Sequence, residues 1–523
     1  MNSRHQIGLA AAVATALAGL AGCVGPAYVK PKVETPTAFK ESSPAAYANA
    51  DSGAWQPAQP RDAALKGKWW EAFDEPELNA LEDQLNINNQ NIAQFFQNFM
   101  AARAQVSIAR SQYFPTLTTS PSATRTRSSR ALTNGSTTTT GTTGTTTGGT
   151  TTTGTSTGAP FNVFEMPFDV SWEPDLFGRV RNAVREAKYA AQVSAADLEN
   201  ERLTEQASLA EFYFQLRGQD ALQDLYNKTI DAQKQSLDLT KVLVETGIDS
   251  PEDVAQAEVT LANTEATAVG VATNRAIYEH AIATLIGKPA SDFSLPVKSL
   301  STNMPSVPVD IPSKLLERRP DVAAAERTMA EANALIGVET AAYFPTLDLT
   351  AAGGWEASAL KNLFTAPARF WSLGASASET IFDGGLRSAT LRQYNAQFNA
   401  DVAAYRQTVL TAFQQIEDYV ATVRVLSQQI ERQRAAVNAA QRFLDIANTR
   451  YHTGIDPYLN VITAETTLLS DQQTEVTLRV SELTAAVQLI QALGGGWDSS
   501  QLPSPDEVTS QKVANRLEAP PTP

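Results

Sequence analysis

Between Leu386 and Thr453, Phe398, Val402, Tyr405, Val409, Phe413, Ile416, Val420 and Val423 follow one another at steps of 4, 3, 4, 4, 3, 4 and 3 residues. Steps close to 3.5 lay an apolar seam along one side of a helix, the arrangement by which helices pack on helices. No proline interrupts this stretch or its counterpart from Arg179 to Thr246, in which Gly218 is the one interior glycine. The pattern predicts two long helices, 179–246 and 386–453, each roughly 100 Å at about 1.5 Å per residue. A different rhythm precedes the second: Leu347, Leu349 and Ala351 alternate with Thr346, Asp348 and Thr350, the period of a strand.

The landmarks recur. Tyr113-Phe114-Pro115-Thr116-Leu117 returns as Tyr343-Phe344-Pro345-Thr346-Leu347, and Thr246-Gly247-Ile248-Asp249 returns as Thr453-Gly454-Ile455-Asp456. One structural unit is thus written twice. The first copy spans 77–300: a helix from Glu77 to Gln112 stopped at Pro115, strands at about 115–125 and 161–173, the long helix 179–246 and a return helix 251–287. The second spans 312–496: helix 321–343, strands at about 345–356 and 370–382, long helix 386–453 and return helix 457–493. Gly247 and Gly454 fit left-handed caps, and Ser250-Pro251-Glu252-Asp253 and Asp456-Pro457 read as N-caps followed by proline, with Asp253 closing a capping box.

Pro115 and Pro345 lie 230 residues apart but Gly247 and Gly454 only 207, so the first copy holds 23 extra residues. They fall in the Thr, Gly and Ser tract 133–158, too poor in apolar side chains to offset ordering entropy. It reads as a mobile surface loop, with O-glycosylation or adhesion as the alternative.

Of the 523 residues 43% are hydrophobic; the net charge is −15 and no basic run occurs, which argues against nucleic acid as a partner. Arg4, the apolar stretch from Ile7 to Gly22, and Leu20-Ala21-Gly22-Cys23 have the shape of a secretory signal over 1–22, ending at the only cysteine. No later apolar run reaches the ~20 residues of a transmembrane helix. A bilayer would therefore be crossed by strands of a closed barrel. Tyr113, Phe114, Trp172, Tyr343, Phe344, Trp355, Phe370 and Trp371 at the strand ends suit the two membrane interfaces. Hairpins of a soluble sheet, and a soluble coiled coil for the helices, fit the same periodicities.

Catalytic chemistry finds no constellation. His5, His280 and His452 stand at no metal-ligand spacing. Gly494-Gly495-Gly496 follows a helix rather than opening one, so it reads as a terminator and not a phosphate cradle. Neither an enzyme nor a cofactor is expected.

Several segments occur in one order: Cys23-Val24-Gly25-Pro26-Ala27-Tyr28-Val29-Lys30-Pro31, Trp69-Trp70-Glu71-Ala72-Phe73-Asp74-Glu75-Pro76-Glu77-Leu78, Arg318-Arg319-Pro320-Asp321-Val322, the two Tyr-Phe-Pro-Thr-Leu segments, Phe382-Asp383-Gly384-Gly385 and Tyr451-His452-Thr453-Gly454. With them the chain resembles the TolC family of outer-membrane efflux channels, in its OprM/NodT-type lipoprotein branch, over nearly the whole mature length. Leu20-Ala21-Gly22-Cys23 resembles a lipobox, which implies S-diacylglycerol and N-palmitoyl groups on Cys23, and Val24 beside it favours the outer membrane. The resemblance implies an α+β membrane protein and a homotrimer. Four strands per chain would close a 12-stranded outer-membrane β-barrel, continuous with a long periplasmic α-helical coiled-coil barrel and built on an internal two-fold repeat. Residues 23–76 would form an extended equatorial segment and 497–523 a loose C-terminal tail.

The implied partners are a periplasmic adaptor, an inner-membrane RND-type pump and outer-membrane lipid, the chain serving as passive exit duct of a tripartite efflux system. Conduits for type I protein secretion or heavy-metal efflux share the fold; a lipid-anchored periplasmic coiled-coil protein without a pore is the remote alternative. The gate is expected at the periplasmic tips. Tyr451 and Asp253 match a tyrosine and an aspartate that the family uses in a tip link, whereas Asn460 and Thr463 are neutral where members often carry aspartate. Any ring of charge would then come from Glu252, Asp253 or Asp456, although Asp456 also suits a helix N-terminus.

Overall fold

A computed structural model of the chain describes residues 25–32, 36, 39–41, 67–127, 160–247, 250–300, 304–305 and 318–518. The signal 1–22, Cys23, the tract 133–158, and Ile248 and Asp249 of the first tip lie outside the described residues. The chain divides into two compact units. One is built from 1–29, 103–189 and 329–401, the other from 30–102, 190–328 and 402–523.

Helices come in matched lengths. α1 (Pro76–Asn88) is followed by α2 (Gln90–Ser111), α3 (Arg179–Glu245) and α4 (Pro251–Leu285). In the second half come α5 (Pro320–Ala341), α6 (Leu386–His452) and α7 (Tyr458–Ala492), and the chain closes with α8 (Gln511–Glu518). α2 and α5 have 22 residues each, α3 and α6 67, α4 and α7 35. No helix among the described residues is long and apolar enough to cross a membrane.

The first unit holds one antiparallel sheet of β1 (Thr116–Thr119), β2 (Ser122–Thr126), β3 (Phe161–Trp172), β4 (Thr346–Ala357) and β5 (Arg369–Ser378). β1 and β2 pair with β3 in one continuous register, Thr119 opposite Phe168 and Ser122 opposite Glu165, so they are a single strand interrupted at Ser120-Pro121. Pro121 has no N–H for the ladder, and neither does Pro167 on the facing stretch. The strand expected at 370–382 ends at Ser378 instead. There the Asp383 carboxylate accepts from Gly385 N at 2.9 Å and Arg387 Nε at 2.7 Å, fixing a turn that starts α6.

In the second unit the seam of α6 is buried at Tyr405, Val409, Phe413, Ile416 and Val420, as its spacing predicts. The segment around Trp69, Trp70 and Phe73 packs on α3, the Phe73 and Phe214 rings lying 5.0 Å apart. Beneath it runs an ionic network. Buried Arg217 donates to Asp220 at 2.7 Å, to Glu77 at 2.6 Å and to the Pro296 carbonyl, and Arg275 donates to the other Asp220 oxygen at 2.7 Å. Lys298 Nζ donates to Glu75 at 2.6 Å.

Three further expectations are corrected. The helix read as continuous from Glu77 to Gln112 breaks at Asn89, whose backbone is extended and whose side-chain oxygen accepts from Asn91 N and Ile92 N to cap α2. Asp456 does not cap the second return helix; Pro457 holds that position. The tail is no loose end as far as residue 518: Val508, Val513, Ala514 and Leu517 are buried, Gln192 Nε2 donates to the Pro503 carbonyl at 2.6 Å, and Arg202 Nη2 donates to the Leu517 carbonyl at 2.8 Å.

Candidate functional site

Two places concentrate the features expected of a conduit, the sheet and the helix tips. In a sheet, directly opposed residues share a face. The registers therefore collect Leu117, Ala123, Phe164, Met166, Phe168, Val170, Trp172, Leu347, Leu349, Ala351, Trp355, Trp371, Leu373, Ala375 and Ala377 on one side. The other side carries Thr116, Thr118, Ser122, Thr124, Ser171, Thr346, Thr350, Ser372, Ser376 and Ser378 with Glu165, Asp169, Asp348 and Glu356. In a soluble domain an apolar sheet face is covered by a second layer. Here it stays open: Trp371 is 78% exposed, Leu373 76% and Leu117 67%.

Charge on the strands is segregated. All four acids are on the polar side, while Arg125, opposite Asn162, and Arg369, opposite Trp355, share the apolar side. Both arginines sit at the end of the sheet remote from the helices.

The expected aromatics gather at the two ends of the strands. At the helix end, Trp172 Nε1 donates to the Tyr113 carbonyl at 3.0 Å, Phe344 stacks on Phe177 at 4.9 Å, Arg387 lies 5.3 Å over the Tyr343 ring, and Phe114 is exposed. At the far end Trp355 meets Phe168 and Phe364 edge-on at 6.4 and 5.6 Å, and Trp371 is exposed.

Each tip is a helix end, a glycine and a helix start. At the second, Gly454 (φ 73°) donates to the Tyr451 carbonyl and Ile455 N to the Arg450 carbonyl, a Schellman motif that needs the left-handed backbone glycine allows. Gly247 (φ 75°) ends the first long helix, its N–H donating to Val244 O. The Asp456 carboxylate is held by Arg450 at 2.6 and 2.9 Å, and this partner lowers its pKa. At the first tip the Ser250 hydroxyl accepts from Glu252 N and the Asp253 carboxylate from Ser250 N, the capping box read from the sequence. Glu252, Asn460 and Thr463 are exposed, Thr463 donating only to the carbonyl four residues back, at Leu459, among its hydrogen bonds given by the structure.

Tyr451, 5% exposed, is joined to Thr240 by a 3.2 Å hydroxyl contact, and Tyr458 to Ser236 by one of 3.0 Å. The two rings lie 5.2 Å apart. One pair of tyrosines thus ties the second tip to one face of α3, since Ser236 and Thr240 are four residues apart on that helix. Around them Leu237, Ala257, Val461 and Ala464 form a small core. Burial pushes the Glu465 carboxyl beside it up to about 7. Sequence reasoning singled out Tyr451 but missed Tyr458, Ser236, Thr240 and Glu465; the spacing of the two hydroxyls was the available signal.

The chain matches the outer membrane efflux protein family over residues 81–288 and 311–495. It is 31% identical to the probable efflux pump outer membrane protein TtgC of Pseudomonas putida over 456 residues, 85% of this chain and 88% of that protein. The pyoverdine export outer membrane protein OpmQ of Pseudomonas aeruginosa is 29% identical over 459 residues, 86% of this chain and 93% of that one. The solved outer-membrane channel OprN aligns with a TM-score of 0.79 at 27% identity, over 91% of this chain and 100% of its own. The CmeC outer membrane channel of Campylobacter jejuni shares the fold, with a TM-score of 0.80 at 21% identity over 95% of this chain and 99% of that one.

Proposed function

The chain belongs to the outer membrane efflux protein family and is an outer-membrane efflux channel, and from that premise we propose how it is assembled and gated. Three copies form the duct, each giving four strands, β1 with β2 counted as one, to a 12-stranded barrel. The helices continue it as a periplasmic coiled-coil tunnel that receives cargo from an inner-membrane RND-type pump through a periplasmic adaptor. Cys23 carries the lipid that anchors each copy, and the matched helix lengths support an internal repeat.

One observation carries this reading: the sheet has an uncovered apolar face and two free edges, β1–β2 and β5. Lipid satisfies no edge N–H or carbonyl, so edges must be paired with other copies. The test is heat-modifiable migration of the purified protein together with conductance in planar bilayers. A heat-labile trimer that conducts is the expected result; a monomer without conductance overturns the reading.

The tips are the gate, held by Tyr451–Thr240 and Tyr458–Ser236. Three Asn460 and three Thr463 make neutral rings, and Asp456 is already balanced by Arg450. Weak cation selectivity follows, read as a small reversal potential across a KCl gradient. Relatives bear names for toluene and antibiotic efflux and for pyoverdine export, which supports small organic cargo for this chain. A deletion strain challenged with solvents, antibiotics and metal salts tests it, and sensitivity to metals alone would contradict it.

A further inference from the structure

The outward side of the barrel strands is mostly apolar; Thr119 and Asn162 are its neutral polar positions, and its two charged positions are both arginine. Arg125 on β2 and Arg369 on β5 are exposed, share the apolar face, and lie at the strand ends remote from the helices. No acid lies on that face of the strands, since Glu165, Asp169, Asp348 and Glu356 are all on the other. Lys361, in the turn between β4 and β5, adds a third exposed cation at the same end.

An arginine facing lipid is costly at mid-depth and nearly neutral at the interface, so this placement locates both at the outer rim. Their neighbours agree. Arg369 is the cross-strand partner of Trp355, and Trp371 follows two residues on along the same face, an aromatic belt of the kind found at an interface.

Arg125 and Arg369 stand on the two free-edge strands. β2 ends at the outer rim and β5 begins there, so the two edges meet antiparallel when copies join, Arg369 of one copy coming beside the Arg125 strand end of the next. Two like charges brought together on an apolar surface repel one another unless an anion lies between them. Guanidinium groups match phosphate oxygens bidentately.

We propose that each of the three junctions between copies binds the phosphate groups of the phosphorylated glycolipid of the outer leaflet, Arg125 and Arg369 providing the cations and the apolar face around Trp355 and Trp371 receiving the acyl chains. The lipid then staples neighbouring copies together from outside. This rests on the trimeric barrel proposed above.

Native mass spectrometry of the full-length trimer is the test, with bisphosphorylated lipid A, dephosphorylated lipid A and phosphatidylglycerol as probes. Bisphosphorylated lipid A should bind at least tenfold more tightly than either other lipid, and Arg125→Gln with Arg369→Gln should abolish the difference while conductance stays unchanged. Equal binding of phosphorylated and dephosphorylated lipid A by the unsubstituted protein overturns the proposal, and that comparison decides even where the variant fails to assemble. Undiminished discrimination by the variant overturns it too, as does equal binding of phosphatidylglycerol. A conducting trimer without lipid discrimination defeats the lipid site alone; a chain that neither trimerises nor conducts defeats both readings.

Discussion

Asn89 and Arg319 face the same problem in the two halves of the chain and solve it with different chemistry. Asn89 Nδ2 donates to the Leu285 carbonyl at 2.9 Å, at the end of the first return helix, and Arg319 Nη1 donates to the Ala492 carbonyl at 2.9 Å, at the end of the second. The helix ends themselves match: Gly287 approaches the Asn88 carbonyl as Gly494 approaches that of Arg318. What recurs is an unpaired carbonyl at a helix end and a donor to meet it. The identity of the donor is free. At the tips the contrast is stronger, because the first is held by a capping box and the second by an ion pair and buried tyrosines.

The match between the two helix ends breaks most severely at Gly494→Ala. Its Cβ would fall 1.9 Å from the Arg318 carbonyl on a backbone at φ 95°, so we expect more than about 4 kcal/mol and loss of the heat stability of the proposed trimer. Gly454→Ala is the control, with nothing within 4 Å of the added carbon, and should cost about 1–2 kcal/mol for the left-handed residue. Similar heat stability for the two would show that the approach of Gly494 to Arg318 is not tight. Next come the two donors. Arg319→Ala leaves Asp321 without its bidentate partner and should cost about 3–5 kcal/mol, against about 1–2 for Asn89→Ala, measured as the temperature at which the trimer is lost.

At the tips, Tyr451→Phe with Asp253→Ala removes one restraint from each half and should raise single-channel conductance. Unchanged conductance would count against these residues as gate links. A gentler effect concerns pH. Glu465, raised to about 7 by burial, favours the folded tip while protonated, so its contribution is full below the ordinary glutamate range near 4.5 and fades as pH rises to about 7. Amide protection in the first turns of α7, with exchange rates corrected for base catalysis, should therefore fall between pH 5 and 8, and Glu465→Gln should flatten that fall. Smallest of all is Arg450→Gln: the side chain is 49% exposed, so any loss of heat stability should vanish in 1 M salt.

Much of this was legible in the sequence. Proline and glycine punctuate locally, so the six helices read from the repeat fall within two residues of their observed ends outside the break at Asn89, whereas α8 in the tail was not foreseen. That break was not legible, since an asparagine inside an Ala- and Gln-rich run reads as helix until the Leu285 carbonyl is known to need it. The Arg217, Asp220 and Arg275 network was hidden for the same reason: Glu77 and Arg217 are 140 residues apart and only the fold brings them together. At the tips, the glycines and the capping box followed from short-range rules. The role of Asp456 did not, because Arg450 reaches it only after the chain has turned.

The matched helices also restrict how such a chain changes length. One residue inserted into α3 or α6 would rotate everything beyond it by about 100° and swing the buried seam towards solvent. The connections between strands have no such phase to keep: 34 residues separate β2 from β3, but only 11 separate β4 from β5. That difference of 23 equals the difference between the offsets of 230 and 207. Insertions and deletions are thus filtered towards the connections between strands, where they leave the phase of the helices untouched.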